Sequence, residues 1–320
     1  MLLPCQLGVK SPGGVEPAIF LLQDAISGPN AAKIRQIAAL DLSNAFNSVT
    51  RTSIAAAVAK YAPAFYKATE WAYNKPSILV TNEGTVLASA EGVRQGDPFG
   101  PLLFSLAFRP TIEALQNALP RATIVAYLDD VYILGKETEQ LLPRAEEVLS
   151  ASPFTLNRTK SSEKAVEALK TEGLRALGTY IGPLPARRAF LQGKIDALSR
   201  ALDALRDLPK QYAILLLRSS IQLLLRHLLR QLDPAGLQDL WEQADKRIEA
   251  TVLALASRGR GRSAGDLQKA LIAIPVRKGG LGLPAHAELA QGLYRAARAA
   301  AEDLILQIQP EVRAKSSHNE

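Results

Sequence analysis

Cysteine is almost absent from this chain, since Cys5 is the only one among 320 residues. One thiol cannot form a disulfide framework or a cysteine-rich zinc site, and such scarcity is typical of a reducing compartment. A secretory signal is also lacking, because the stretch 1–10 is too short and contains Pro4. We therefore expect an intracellular protein, and the sequence does not distinguish nucleus from cytoplasm.

A long uninterrupted apolar run is missing as well. The most apolar segment, Tyr212 to Leu229, contains Arg218, Arg226 and His227. Three polar or charged side chains in so short a segment argue against a membrane span, so we expect no membrane partner.

The composition is that of a folded protein with a basic surplus. Hydrophobic residues make up 48% and charged residues 22%, which excludes the disordered class, and the length suffices for two compact units. Lys and Arg total 38 against 31 Asp and Glu, which gives a net charge of +7. That surplus suits a polyanionic partner without proving one.

The hydrophobic pattern changes along the chain and predicts an α+β fold. The part up to about residue 185 mixes strands and helices. We predict an apolar strand at Ile34 to Leu40, β-hairpins at Ser77 to Leu87 and Thr123 to Leu134, and short strands near 155–157 and 175–181. Helices are predicted at 18–26, 51–72, 101–118 and 137–150. Beyond residue 187 helix follows helix, with an arginine–glycine run at Arg258 to Arg262. An all-α part is therefore expected to follow the mixed part.

Two adjacent acids, Asp129 and Asp130, lie inside an otherwise apolar hairpin. Neighbouring carboxylates repel each other, and burial of an unpaired charge costs several kcal/mol. A divalent cation such as Mg²⁺, which prefers carboxylates, water and phosphates, would offset that cost. The alternative is that Asp is simply a good turn former.

A third acid, Asp41, closes the apolar strand that ends at Leu40. A carboxylate at the end of a strand can meet the hairpin acids at the edge of a sheet. Three such acids can hold two cations roughly 3.5–4 Å apart, which is the arrangement that activates a 3′-hydroxyl and stabilises leaving pyrophosphate.

A glycine-rich loop between the acidic motifs, Glu91 to Phe104, ends in a predicted helix. Asp97 can cap that helix and Pro98 suits its first turn. Gln95 can make paired amide hydrogen bonds, and Arg94 can meet a phosphate. The loop is either a plain loop-to-helix junction or, given its place between two acidic motifs, a nucleotide-and-template loop.

Together these motifs resemble the palm of reverse transcriptases, and the sequence of the glycine-rich loop is most similar to that of LINE-type (non-LTR) retrotransposon enzymes. The matching segments are Asp41 to Phe46, Gly92 to Pro98, Pro101 to Phe104, Tyr127 to Asp130, Leu156 to Ser161, Leu177 to Gly182, Pro275 to Leu283 and the start from Gln6 to Val9. The resemblance implies a palm, with an antiparallel sheet and helices on one face, followed by an all-α thumb.

The resemblance also implies roles for individual residues. Asp41, Asp129 and Asp130 would be catalytic and, with the Leu42 carbonyl, would bind two Mg²⁺ or Mn²⁺ ions. Phe46 would be a steric gate against a ribose 2′-hydroxyl, although core packing explains it equally well. Three polar residues, Arg94, Gln95 and Lys160, would contact the incoming nucleotide, and Lys160 could equally be a solvated loop residue.

The implied partners are an RNA template, a DNA primer and dNTP. The primer side would be contacted by Gly178 and Tyr180 in the primer-grip turn and by Arg218, Arg226 and Arg230. These arginines, with Gln222, recur every four residues and are predicted to line one helical face, which could track a nucleic-acid backbone or be a solvated edge.

Two departures from the family pattern bear on function. Asn47 replaces the Asp of many relatives, and only 40 residues precede Asp41, fewer than the fingers of the family need. We expect residues 1–32 to be a remnant of the fingers, 33–185 the palm, and 186–315 the thumb with an extension. The main hypothesis is RNA-directed DNA synthesis; the alternatives are an inactive remnant that at most binds nucleic acid, and an RNA-dependent RNA polymerase.

Overall fold

The structure is a computed structural model that describes residues 2–9, 11–28, 33–137, 140–256, 266–283 and 285–309, without the side chains of 266–269. The arginine–glycine run Arg258 to Arg262 lies outside these residues. Two compact units are present, one formed by Met1–Leu169 with Ala301–Glu320 and the other by Lys170–Ala300. The functional limits expected at 32, 185 and 315 remain predictions.

The sheet of the first unit has four antiparallel strands in the order β4-β5-β1-β6. They are β1 (Gln36–Leu40), β4 (Thr123–Tyr127), β5 (Asp130–Gly135) and β6 (Ser162–Ala165). Strand β1 is central, since it pairs with β5 on one side and with β6 on the other. The predicted first strand and second hairpin are confirmed.

The first stretch of this unit contains helices α1 (Val15–Ser27), α2 (Ala45–Ser48), α3 (Arg51–Tyr61), α4 (Tyr66–Tyr73), α5 (Gly100–Ala118) and α6 (Leu141–Ser150), and α7 (Val166–Glu172) begins in it. Alternate strand residues such as Ala38, Ile124 and Ile133 join a core with side chains of α3, α5 and α6. The residues of the opposite face are also buried, and α1 contacts β4.

A stack of phenylalanines fills the centre of this core. Phe104 and Phe108 of α5 are fully buried, and both meet the edge of Phe154 at ring-centroid distances of 5.8 and 4.8 Å. Their spacing of four residues puts both rings on one face of α5. Aromatic pairs of this kind add about 0.5–1.5 kcal/mol each beyond the area they bury, so α5 is firmly fixed behind the sheet.

A second, two-stranded sheet consists of β2 (Ser77–Val80) and β3 (Val86–Ser89), with Thr81 and Thr85 bracketing the predicted turn at Asn82-Glu83-Gly84. Its large apolar side chains are exposed, with Ile78 at 73% and Leu87 at 51%. Both faces of this ribbon therefore carry exposed hydrophobic groups.

The second unit begins with a small hairpin, β7 (Leu174–Ala176) and β8 (Thr179–Ile181), and continues with helices. These are α8 (Leu184–Ala204), α9 (Lys210–Ser219), α10 (Leu228–Gln231), α11 (Gln238–Ala256), α12 (Asp266–Ala273) and α13 (His286–Ile308), the last of which continues into the first unit. Leucines at helical spacing on α8 pack with fully buried Trp241 of α11. The prediction of an α+β part followed by an all-α part is confirmed.

The predicted single helical face of Arg218, Gln222, Arg226 and Arg230 is wrong. Helix α9 ends at Ser219, and the backbone hydrogen bonds that follow run over three residues instead of four. At three residues per turn, a four-residue spacing turns by a third of a circle at each step. The four side chains therefore do not share one face.

This run, Lys210–Gln231, is long and apolar enough to cross a membrane when only its length and composition are counted. A single run of this kind is weak evidence, because the core helices of soluble proteins pass the same test. Its interruption by tight turns and its three arginines also disfavour a span.

Candidate active site

The sheet brings the first-strand acid and the hairpin acids together. In the ladder between β1 and β5, Leu40 is opposite Val131. The ladder ends at this pair, so Asp41 directly follows the last paired residue of β1, and Asp130 directly precedes Val131 in β5. Asp129 precedes Asp130 in the two-residue turn that joins β4 to β5. All three carboxylates thus belong to one edge of the sheet.

The electrostatics show how close these carboxyls are. The pKa of Asp130 is raised from 3.8 to about 6, first by burial and then by the charges of Asp129 and Asp41. Burial also raises the pKa of Asp129, with a smaller contribution from the charge of Asp41. Burial is the larger cause of both shifts, and the repulsion between the carboxylates adds to it; a bound cation would relieve the repulsion. The donor set of hard oxygens is the one that Mg²⁺ prefers.

The three acidic side chains do not converge on a common point in this structure. Within the part of the chain that the structure describes, no set of three or more His, Cys, Asp or Glu side chains converges on a point that could hold a metal. Asp41 and Asp129 are half-buried, and Asp130 is only partly shielded from solvent, so the burial that raises its pKa is incomplete. The three carboxyl groups therefore lie at one edge of the sheet and interact electrostatically. Metal binding by them and by Leu42 remains a prediction.

Buried Gln6 holds the turn that carries the hairpin acids. Its side-chain amide accepts a hydrogen bond from the Leu128 N–H at 2.8 Å and donates one to the Leu128 carbonyl at 3.0 Å. Leu128 has φ +59°, a left-handed conformation that costs an ordinary L-residue about 1–2 kcal/mol. The Gln6 amide thus compensates a strained residue next to Asp129.

The backbone of Asp41 is fixed by the segment that carries Lys160. The Asn157 N–H donates to the Asp41 carbonyl at 2.8 Å, and the Asp41 N–H donates to the Ser161 hydroxyl at 2.9 Å. Leu156 forms a bridge with Leu42, one of the predicted ligands. Lys160 itself is exposed. The turn from Asn157 to Ser161 therefore lies beside Asp41, and Lys160 is free to point into solvent there.

Phe46 lies next to the glycine-rich loop. Its ring stacks on Phe104 with centroids 4.3 Å apart, and its carbonyl accepts the Val93 N–H at 2.9 Å. Gly92, at φ +69°, approaches so closely that a Cβ there would lie 2.6 Å from the Asn47 Cα. Phe46 is thus a packing residue, and its role as a gate remains a prediction.

Gln95 sits at the tip of a tight turn. The Asp97 N–H donates to the Arg94 carbonyl at 3.2 Å, and Gly96 has φ +85°, as a type II turn requires at its third position. Gln95 is exposed, and nothing lies within 4 Å of a Cβ built on Gly96. The turn therefore presents the Gln95 amide to open space.

Arg94 is placed differently from the phosphate-binding side chain that the sequence suggests. Its guanidinium donates to the Ala72 carbonyl and lies 4.9 Å from the centre of the Tyr73 ring. Arg51 occupies another side of the same ring, at 5.4 Å. Arg94 is thus committed to packing within the first unit, while its assignment to nucleotide binding remains a prediction.

An apolar cavity of about 440 Å³ lies beneath this turn, and it is lined mainly by carbon. Its walls come from α4, from the start of α5 and from the loop between Arg94 and Phe99. Arg94, Gln95 and Asp97 form its polar rim. Apolar side chains therefore form most of the wall on this side of the loop.

The remaining predicted residues belong to the second unit. Gly178, at φ +82°, and Leu177, at φ +47°, form the tip of the β7–β8 hairpin, and the His227 imidazole hydrogen-bonds to the Gly178 backbone. The Tyr180 hydroxyl donates to the Glu172 carbonyl. Of the three predicted arginines, Arg218 and Arg226 are exposed and Arg230 is half-buried.

Residues 14–181 match the family described as reverse transcriptase (RNA-dependent DNA polymerase), which is more than half of the chain. The chain belongs to the reverse transcriptase family. It is also 31% identical over 172 residues to the retrotransposable element SLACS 132 kDa protein of Trypanosoma brucei gambiense, a match that covers 47% of this chain and 14% of that protein. The resemblance to LINE-type reverse transcriptases is thereby confirmed, and the chain spans about one seventh of this relative.

A solved telomerase from Candida albicans, in complex with the TWJ fragment of telomeric RNA, shares the fold of this reverse transcriptase. The TM-score is 0.50 at 10% identity, and the match covers 97% of this chain and 52% of the telomerase chain. At this identity the likeness supports the fold only. The mixed unit of this chain accordingly corresponds to a polymerase palm, and the helical unit follows it.

Three positioning residues were not singled out by the sequence: Gln6 for its contact with Leu128, Ser161 for its contact with Asp41, and Tyr73 beside the Gln95 turn. A buried polar side chain in an apolar setting is the signal that could have found Gln6 and Tyr73, because such groups need partners. Ser161 gives no such signal in the sequence.

Proposed function

We propose that this reverse transcriptase chain extends the 3′-hydroxyl of a DNA primer along an RNA template by a two-metal mechanism. The observation that carries the proposal is the meeting of Asp41 with Asp129 and Asp130 at one sheet edge, where burial and, to a smaller extent, the neighbouring charges raise the pKa of both hairpin acids. Family membership supports the same chemistry.

The metal ligands would be the carboxylates of Asp41, Asp129 and Asp130 with the carbonyl of Leu42. When bound, two Mg²⁺ or Mn²⁺ ions would supply Lewis-acid activation of the primer hydroxyl and neutralise the pyrophosphate. The contribution of the chain would be positioning: the β1–β5 ladder ends beside Asp41 and Asp130, and the Gln6 amide bonds to the turn that precedes Asp130. Preorganised groups of this kind need no rearrangement of charge during the reaction.

The incoming nucleotide would lie between the acids and the Gln95 turn. Gln95 would hydrogen-bond the nucleotide or template, and Lys160 would face the triphosphate from the turn beside Asp41. Arg94 would contribute its positive charge from behind the turn. Phe46 would exclude a ribose 2′-hydroxyl, since its ring position is fixed by stacking on Phe104.

Residues of the helical unit would also take part in primer and template binding. The hairpin tip at Gly178 with Tyr180 would contact the primer, and Arg218, Arg226 and Arg230 would contact phosphates. Because these arginines do not share one face, we expect contacts at separate phosphates. Such contacts are read by charge and weaken steeply with salt.

Primer extension on an RNA template with dNTP and Mg²⁺ tests the proposal. The Asp129→Asn variant should lose at least about 100-fold in rate, the size of effect that removing one preorganised charge-stabilising group produces. Asp207→Asn, which makes the same chemical change at an exposed site of the helical unit, is the matched control and should retain full activity. Equal activity of wild type and Asp129→Asn would refute the assignment.

The same experiment separates the alternatives. Binding of RNA–DNA duplex without any incorporation would favour a binding remnant. Incorporation of rNTP in preference to dNTP would identify an RNA-dependent RNA polymerase and would exclude the gate assigned to Phe46.

A further inference from the structure

A single phenol group contacts both ends of the turn that presents Gln95. The Tyr73 hydroxyl accepts the backbone N–H of Arg94 at 3.2 Å, and it donates to the Oδ2 carboxylate oxygen of Asp97. Arg94 and Asp97 are the first and last residues of that turn. The hydroxyl therefore spans the turn from below, while Gln95 and Gly96 remain exposed above.

Asp97 connects the turn to helix α5, which follows it. Its second carboxylate oxygen, Oδ1, accepts the N–H of Phe99 at 2.9 Å, immediately before α5. The carboxylate is thus shared between Tyr73 and the start of a helix that the phenylalanine stack fixes in the core. Hydrogen bonds to a charged acceptor are among the stronger ones in proteins.

The Tyr73 ring is itself held in place. It is 5% exposed, and the guanidinium groups of Arg51 and Arg94 lie 5.4 and 4.9 Å from its centre. Arg51 is fixed in turn by donating to the carbonyls of Lys75 at 2.8 Å and Ser89 at 2.7 Å. Burial and the hydrogen bond to Asp97 raise the pKa of Tyr73, so the phenol remains a donor at neutral pH.

We infer that Tyr73 is a positioning residue, which holds the turn from Arg94 to Asp97 in the shape that presents Gln95 to the nucleotide and template. This inference rests on the proposed function only for the identity of what Gln95 contacts. The restraint itself follows from the two hydrogen bonds, because no other side chain in the described ranges is recorded as bonded to both ends of the turn.

The test is the Tyr73→Phe variant, which keeps the ring and both arginine contacts and removes only the hydroxyl. We expect KM for dNTP to rise about tenfold, as the loss of two hydrogen bonds to a loop of this kind predicts, while kcat changes less than threefold. Tyr61→Phe is the matched control: Tyr61 also lies beside an arginine, Arg109 at 4.2 Å, and its hydroxyl donates to Glu113 at 3.5 Å, away from the turn.

A double-mutant cycle with Gln95→Ala distinguishes positioning from general loss of structure. If Tyr73 acts through Gln95, then Tyr73→Phe should raise KM by less than twofold in the Gln95→Ala background, because the two effects share one cause. An undiminished tenfold rise in that background would overturn the inference.

Hydrogen exchange gives an answer that does not depend on catalysis. In wild type the Asp97 N–H is bonded across the turn, and Tyr73→Phe should speed its exchange at least about fivefold, whereas Tyr61→Phe should leave it unchanged. Unchanged exchange in Tyr73→Phe would refute the restraint. Faster exchange in a chain that incorporates no nucleotide would sustain the restraint and overturn only the proposed function.

Discussion

Replacement of Gln6 by Met is the perturbation that most directly tests how the hairpin acids are held. Methionine is unbranched and fills nearly the same volume, so the apolar packing is preserved. The change removes the acceptor of the Leu128 N–H at 2.8 Å, the donor to the Leu128 carbonyl at 3.0 Å, and the acceptor of the Gly8 N–H at 3.1 Å. The turn beside Asp129 loses both of its hydrogen bonds to Gln6, and Gly8 loses one.

The expected loss of stability follows from the backbone groups that lose their hydrogen bonds to Gln6. A buried group that loses its hydrogen bond costs about 1–3 kcal/mol. Leu128 is only half-buried, so water can replace part of the loss, and we expect about 2 kcal/mol in total. For a unit of this size that corresponds to a decrease in Tm of about 4–8 °C. Calorimetry of the purified chain measures it.

Activity should fall further than stability alone explains. Without the Gln6 amide, the positive φ of Leu128 is no longer compensated, and Asp129 shifts with the turn. We therefore expect kcat to fall about tenfold or more, since small displacements of catalytic groups are costly. Leu128→Gly in the same background should recover part of the lost stability, because glycine adopts positive φ without strain.

The control for this prediction is Gln116→Met. Gln116 is also partly buried in the first unit, and its amide makes only a long contact of 3.6 Å to the Cys5 sulfur. It should lose less than about 1 kcal/mol. If Gln6→Met were no more destabilising than Gln116→Met, the compensation of the strained turn by Gln6 would be refuted.

Two further predictions concern the neighbouring residues. Phe46→Val should lower the free energy of unfolding by about 1–3 kcal/mol, because the stack on Phe104 is lost, and it should raise the ratio of rNTP to dNTP incorporation in competition assays. Asp130→Asn should gain stability relative to wild type as the pH rises from 4 to 7 in metal-free buffer. The raised pKa means that folded Asp130 keeps its proton where the unfolded chain has lost it, so wild type loses stability through that window.

Each of these two predictions has a clear opposite outcome. A Phe46→Val variant that loses stability but keeps its sugar selectivity would leave Phe46 as a core residue alone. A stability difference between Asp130→Asn and wild type that is the same at pH 4 and pH 7, measured by urea denaturation, would contradict the repulsion at the sheet edge. Added Mg²⁺ should reduce the difference at pH 7 if the carboxyls bind it.

Much of the palm could be predicted from the sequence because its strands carry strong local signals. The β-branched and aromatic run that becomes β4 and β5 is unmistakable, and the acid after Leu40 closes β1 as expected. The ladder that ends with Leu40 opposite Val131, next to Asp41 and Asp130, requires β1 and β5 to be neighbours. The resemblance to the family motifs predicted that these two strands are adjacent.

Other elements were misplaced for identifiable reasons. The helix expected over 51–72 is divided at Ala62-Pro63, where proline disfavours helical backbone in the preceding residue. A strand was expected near 155–157, yet that segment forms only a single bridge to Leu42, and the strand itself is Ser162–Ala165. The polar sequence of β6 has no alternation to reveal it, and its pairing with β1 alone makes it a strand.

The supporting contacts of the site could not be derived from local pattern. Gln6 and Leu128 are 122 residues apart, and Asp41 and Ser161 are 120 apart. Hydrogen bonds over such separations depend on the completed fold. The break after α9 has a different origin, since Leu and Arg favour helix throughout 215–230. Tertiary packing around Leu225 and Leu228, both buried, overrides that preference.

The ribbon of β2 and β3 has a practical consequence for anyone who handles this protein. Strand edges with unpaired amides and bare aliphatic surface are templates for sheet growth between molecules. At high concentration, copies will therefore tend to associate through Ile78, Val80 and Val86. Lysine in place of Ile78 would put charge on that exposed surface, which would make a soluble preparation for all the measurements above easier to obtain.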